Sequence, residues 1–297
     1  MRLNIYIVLT FLTISFNGWT QTKLSYSLNV GDTFKVYQST TQDILQNMDG
    51  QKHEITSEID GEFTFVVKSV TDSLIDFTFQ FDRLKMVSKS NLAGDLMNVD
   101  TGKEVDENDL MGQMLSKIVN VDLQMLMYKN GKVKEVTGAE AIIDNMVSTI
   151  SYLDDAGKEQ VKASMAGDFS SKSLADSFEQ MTYIYASKTV SKEDTWSNKF
   201  NGELSSDNIW TLKELTDNSA EIKGEGMVTF ITEDDNISMN LSGTMTSDIT
   251  TSLDTGFIKA MSVESTAAGN SIIKQFDGTE VPTTVVTKTT YKIDYVQ

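Results

Sequence analysis

The chain holds one histidine, His53, and no cysteine. Those two counts remove most nucleophilic and metal chemistry together. A Ser-His-Asp triad needs a histidine beside its serine, a thiolate nucleophile or CxxC redox pair needs cysteine, and tetrahedral zinc sites are built from His and Cys. His53 stands near Gly50 and beside Glu54 in an expected loop or strand end, and reads as a solvated surface side chain. No GxGxxG, GxxxxGK[ST] or GxSxG is present, which disfavours dinucleotide, P-loop and hydrolase-elbow sites.

Paired carboxylates are the remaining route to catalysis. Asp154-Asp155 and Glu233-Asp234-Asp235 are the acidic clusters, each at an expected loop. Glycoside hydrolysis needs two carboxyls converging across a cleft, which adjacency in sequence does not supply. Calcium loops need Asp or Asn at alternate positions with a glycine and a terminal Glu, and neither cluster has that spacing. Both read as solvated turn acids. Asn236-Ile237-Ser238 and Asn240-Leu241-Ser242 match the N-glycosylation triplet, and the match reads as incidental. The sequence therefore assigns no catalytic residue, no metal ligand and no cofactor. A carboxylate-based hydrolase is the weakest of the functional readings, and the expectation is a non-enzyme.

Methionine is the compositional feature with a functional edge. Of 15 in all, Met111, Met114, Met125, Met127, Met146, Met165 and Met181 fall in the middle third. Flexible thioethers line adaptable apolar pockets, so an apolar or lipid-like ligand would be lined by Met111, Met114, Ile118, Met146, Ile150, Phe178 and Met181. The plainer alternative, which is preferred, is that these residues fill an irregular core.

The elements that would position those residues are specified locally. Val121–Tyr128 reads as a strand, Asn130-Gly131 as a tight type I′ hairpin, and VKEV as the returning strand. Thr137 stands three residues before Glu140, the spacing of a capping box. The helix that follows places Ile142, Met146, Ile150 and Leu153 on one face. Asp106 could cap an earlier helix through Leu110, Met111, Met114, Leu115, Ile118 and Val119. Two further helices are expected near 155–166 and 172–184, the second with Leu174, Phe178, Met181 and Tyr185 in helical phase.

The rest is β. Lys23–Leu28 and Thr33–Met48 look extended, and Phe63, Phe65 and Val67 alternate with polar neighbours. Ile75, Phe77, Phe79 and Phe81 do the same, with a slip of phase at Arg83-Leu84 that predicts a bulge. After Ser187 come strands through Trp210 and Leu212, then Ala220, Ile222, Val228 and Phe230. Ile237, Met239, Leu241, Met245 and Ile249 make the next strand, and the last runs from Thr284 to Val296. A weak echo links Gly31-Asp32-Thr33-Phe34 to Glu193-Asp194-Thr195-Trp196, and the turn at Thr71 to that at Thr216. Convergence of common turn chemistry explains the echo as well as duplication does. The fold class expected is α+β: two antiparallel, curved β-meander halves packed on helices from the middle third. The divisions are a signal peptide at 1–20, a β-rich half at 21–137 with a helical insertion near 91–120, a helical segment at 138–186, and a β-meander half at 187–297.

Residues 1–20 carry Arg2, an apolar run from Ile5 to Phe16, and small residues at Gly18 and Thr20, the pattern of a cleaved secretory signal. The run is shorter than the ~20 residues of a comfortable membrane span. The absence of cysteine excludes a diacylglyceryl-cysteine anchor. The periplasm is the expected location, with secretion or cell-surface association as the alternative. A net charge of -18 repels phosphate backbones and anionic headgroups, so neither nucleic acid nor direct binding to anionic membranes is expected. An exported chain without disulfides must rely on a large core, which 297 residues can bury. The partners left are an apolar small molecule or a periplasmic protein, bound by a monomer.

An export signal, the GDTF turn, KNGKVKEVTG before a helix and a second DTW turn followed by a meander together resemble a family of uncharacterised exported proteins of Bacteroidota. The resemblance covers essentially the whole mature chain. It implies location and fold, and because that family is a domain of unknown function it brings no catalytic residues. The reading is a non-catalytic binding module, with a periplasmic structural or interaction module as the alternative.

Overall fold

The long alternating segments of the sequence pair into one antiparallel sheet. The structure, a computed structural model, describes residues 21–48, 50–202, 204–233, 237–274 and 278–296. The signal-like residues 1–20, Asp234, Asp235 and Asn236 lie outside the described residues. In the first half stand β1 (Thr33–Met48), β2 (Gln51–Val70), β3 (Leu74–Ser90), β4 (Gly94–Asp100), β5 (Leu123–Tyr128) and β6 (Val133–Thr137). In the second stand β7 (Thr195–Phe200), β8 (Leu204–Leu215), β9 (Ser219–Glu233), β10 (Ile237–Ser252), β11 (Ile258–Ile273) and β12 (Thr279–Val296). Between β4 and β5 comes α1 (Leu110–Leu115). After β6 come α2 (Ala139–Ser148), α3 (Asp155–Phe169) and α4 (Ser171–Thr182).

The strand order is β6-β5-β3-β2-β1-β12-β11-β10-β9-β8-β7, with β4 paired on β3. The two halves are therefore one sheet rather than two. The reason is the pairing of β1 with β12, which runs from Thr33↔Val296 to Gln46↔Thr283 and leaves neither half an edge there. The sheet is open, because the edge strands β6 and β7 pair with other neighbours and not with each other. The chain is thus mostly antiparallel β with a few helices.

Inward positions repeat every second residue. Phe63, Phe65 and Val67 on β2 and Ile75, Phe77 and Phe79 on β3 are buried, as are Trp210, Leu212, Leu241 and Ile249 in the second half. Helix α4 docks its apolar stripe here. The Phe178 ring meets Phe79 at 4.7 Å, Phe65 at 5.6 Å and Phe63 at 6.1 Å, each edge to face, the arrangement that aromatic quadrupoles favour. Helix α4 also packs on β6 and touches β7.

Several local expectations are corrected. The β5–β6 turn is not type I′, because only Gly131 has positive φ, at 93°. Gly131 N donates to Tyr128 O at 2.8 Å and Tyr128 N to Lys132 O at 2.8 Å, the three-residue loop whose left-handed third position is glycine. Helix α2 has no capping box: Thr137 remains in β6, and Gly138 at φ 96° is the N-cap, without a side-chain cap. For α1 the cap is Asp109, which accepts from Gly112 N at 2.9 Å, while Asp106 accepts from Asn108 N. Part of the expected helical insertion at 91–120 is the strand β4. The extra bulge residue is Asp82, one before the expected pair, since the register steps from Glu62↔Arg83 to Phe63↔Phe81. Its carboxylate accepts from Thr64 Oγ1 at 2.5 Å. Lys23–Leu28 is no strand but a tie across the turns: Tyr26 N donates to Lys129 O and Ser27 N to Thr255 O.

Candidate functional site

The proposed apolar lining is core. Met114, Ile118, Met146, Ile150, Phe178 and Met181 are buried in the one large hydrophobic cluster, while Met111 is 46% exposed. None of the seven lines the cleft described next. His53, expected in solvent, is half-buried on β2, with Nδ1 3.1 Å from Gln46 Oε1 and Nε2 2.9 Å from Ser90 Oγ. Asp154, read as a turn acid, caps α3 by accepting from Gly157 N at 2.8 Å.

The cleft lies on the other side of α4. Asp176 and Ser177 each stand three or four residues from both Ser173 and Gln180, so the four form one stripe of the helix. With Gly167, Lys172, Gly202, Leu204 and Phe230 they line a half-open cleft of about 620 Å³ against β8 and β9. Lys172 Nζ and Asp176 Oδ2 are 2.5 Å apart, so the mouth carries no unpaired charge of theirs.

Gln180 and Leu204 also line a second, more enclosed cavity of about 60 Å³, which lies beside the cleft over β8, β10, β11 and β12. Its walls are Phe200, Trp210, Met245, Met261 and Val263, interspersed with hydroxyls, and none of its lining side chains is charged. The register makes a checkerboard: Ser265 lies between Met245 and Thr287, and Val263 between Ser247 and Thr289. Burial pushes the Tyr291 phenol at one end up to about 12, so it stays neutral. Ser206 and Ser247 are buried, and neither hydroxyl has a hydrogen-bond partner among the described residues.

A buried polar clip fixes the β7–β8 wall. Asn198 Nδ2 donates to Tyr183 O, just beyond α4. Its Oδ1 accepts from Asn208 Nδ2 at 3.1 Å and Trp210 Nε1 at 3.0 Å. Trp196 Nε1 donates to Ile184 O at 2.9 Å. The Trp210 ring lies over Gly224, its cross-strand partner, where a Cβ would stand 2.4 Å from the ring.

The polar stripe of α4 was missed because the hydrophilic face of an amphipathic helix ordinarily reads as the solvent face. Ser206 and Ser247 did carry a signal: each keeps the inward phase of its apolar neighbours, Trp210 and Leu212 on β8, Met245 and Ile249 on β10.

Among solved structures the chain is similar to lipovitellin, from a structure titled for lipid–protein interactions, with a TM-score of 0.52 and 9% identity. That likeness covers 91% of this chain and 26% of the other, so the chain spans about a quarter of the lipovitellin chain it matches. An outer membrane channel from Pseudomonas putida F1 aligns with a TM-score of 0.25 and 10% identity, over 91% of this chain and 97% of that one. No curated protein matches the chain by sequence. Residues 72–258 match the profile of a family of unknown function, DUF6263, and the chain belongs to that family.

Proposed function

We propose that the protein is an exported, non-catalytic binding module that holds an apolar, lipid-like ligand between α4 and the second half of its sheet. The observation that carries this reading is that the wide mouth and the uncharged inner cavity share Gln180 and Leu204 as walls. Concave sites with apolar walls and a few polar groups are the usual small-molecule sites, and 620 Å³ is within their range of about 300–1,000 Å³. Helix α4 touches both edge strands, so it lies across the sheet face and forms one wall of the cleft. The lipovitellin likeness, from a structure titled for lipid–protein interactions, is consistent with such a use of the cleft. Export rests on the pattern of residues 1–20.

The test is to fill the junction. Leu204→Trp should abolish the fluorescence enhancement of nile red on the purified mature protein while its thermal unfolding stays cooperative. Unchanged dye binding by that variant would reject the cleft as the site.

An interaction module is the second reading. It is favoured by Ile209 on β8 and Met227 and Ile231 on β9, exposed at 58%, 63% and 55% on the two strands next in from the edge strand β7. Crosslinking in cells with and without Ile209→Lys and Met227→Lys separates the two, since only an interaction surface would lose its adduct.

A further inference from the structure

The inner cavity is not the kind of space an alkyl tail prefers. Ser206 and Ser247 are 6% and 3% exposed, both line it, and no group among the described residues bonds either hydroxyl. An unmet buried hydroxyl carries its full desolvation cost, whereas a partner inside the cavity would recover it. A hydrocarbon in contact with both would leave them unmet. A carboxylate, phosphate or ammonium would enter a space with no counter-charge among its lining side chains, and burying an unpaired charge costs far more than burying a dipole.

We infer that the ligand inserts a neutral hydrogen-bonding group, a hydroxyl, ester or amide, beside Ser206 or Ser247, with its apolar body lying under α4. The register sets the two serines two strands and four residues apart, so each is met by a separate group. The inference rests on the cleft proposed above as the ligand site and adds the chemistry of the buried end. Apolar walls on either side, Trp210 and Met245 among them, suit the carbons that flank such a group. The ligand class is then a neutral lipid or similar molecule with a polar function on its chain, not a free fatty acid. The net charge of -18 points the same way, since it disfavours anionic amphiphiles at any approach.

The volume admits a simpler occupant. About 60 Å³ is the liquid volume of roughly two waters, one for each serine. The experiment must tell these apart. Displacement of nile red from the mature protein would compare undecane, 1-decanol and decanoate, which share a chain length and differ at one end. The expected order is decanol tightest, undecane about tenfold weaker, as one added hydrogen bond to an otherwise unmet buried hydroxyl implies, and decanoate weakest. The double variant Ser206→Ala, Ser247→Ala should bind undecane more tightly than the parent and lose the preference for decanol. Its melting temperature serves as the check on folding.

Equal binding of decanol and undecane, or a preference that survives the double variant, overturns the inference while leaving the cleft in place. A crystal structure with decanol in the cleft and ordered waters on both serines overturns it too. Failure of nile red and of every probe to bind rejects the cleft itself, and the inference with it.

Discussion

Replacing Asn198 by alanine tests the buried clip that sets the cleft wall. The amide satisfies three groups at once: Tyr183 O, Asn208 Nδ2 and Trp210 Nε1. Asn208 is 2% exposed and Trp210 is fully buried, so two of the three lose their partner where bulk water does not reach. Each orphaned buried group costs about 1–3 kcal/mol. The truncated amide leaves room for one water, which would repair part of the loss. The expected destabilisation is about 3–5 kcal/mol, a large share of the ~5–15 kcal/mol of an ordinary domain. Equilibrium urea unfolding followed by tryptophan emission measures it directly, because Trp196 and Trp210 both stand in the clip. The cycle is closed with Trp210→Phe, which removes one donor and keeps an aromatic ring over Gly224. The two substitutions should couple by about 1 kcal/mol, as partners in one network do. A loss below ~1 kcal/mol for Asn198→Ala, or additivity in the cycle, would mean the clip is incidental to stability.

Two further outcomes follow from single contacts. Gly131→Ala should destabilise by about 3 kcal/mol or more in the same unfolding assay. The backbone at φ 93° costs about 1–2 kcal/mol for any L side chain, and the new methyl would lie 1.8 Å from Thr182 O, prising the β5–β6 turn off α4; a loss under ~1 kcal/mol refutes the close approach. Asp100 is held down at about 2 by the Arg83 guanidinium, from a usual 3.8. A depressed carboxylate contributes its stabilisation fully above about pH 4 and loses it as pH falls towards 2. After allowance for screening at Arg83, a third exposed, about 1–2 kcal/mol should disappear in that window. Melts of the parent and of Arg83→Gln between pH 6 and 2 should converge; parallel curves would refute the pairing.

Much of the fold was legible because its signals are periodic. The inward phases of β2, β3, β8 and β10 follow directly from alternation, and α4 from Leu174, Phe178 and Met181 at helical spacing. What alternation does not encode is which strands meet at long range, and so the β1–β12 pairing that merges two meanders into one sheet was not visible. The echo between the halves gains substance in three dimensions. Asp32 Oδ2 accepts from Asn29 N at 2.8 Å, and Asp194 Oδ2 from Ser191 N at 2.8 Å. Gly31 N bonds Val67 O on β2 as Glu193 N bonds Leu212 O on β8. Thr71 Oγ1 and Thr216 Oγ1 each accept at 3.0 Å from the residue three places on. The turns are built alike although their spacings along the chain differ. At the site the reverse held: the residues that drew notice, methionines on helices, are core, and the ones that shape the cleft are serines and a glutamine of unremarkable type.

Why the cleft stands in the second half follows from this partial symmetry. Both meanders present an apolar inner face, but the run of helices α2, α3 and α4 comes once, after β6. A helix with one apolar stripe can seal one apolar wall. Helix α4 gives that stripe to the first half, where Phe178 packs among Phe63, Phe65 and Phe79. What it turns to the second half is Ser173, Asp176, Ser177 and Gln180. Polar side chains cannot close against Phe200, Trp210 and Met245 without burying unmet donors and acceptors, so the two surfaces stay apart and a cleft remains between them. The inward hydroxyls of Ser206 and Ser247 then lie at its floor, on strands held by the Asn198 clip. The cleft is thus the unsealed counterpart of the first half's core, which is why it is lined by sheet on one side and by the hydrophilic face of one helix on the other.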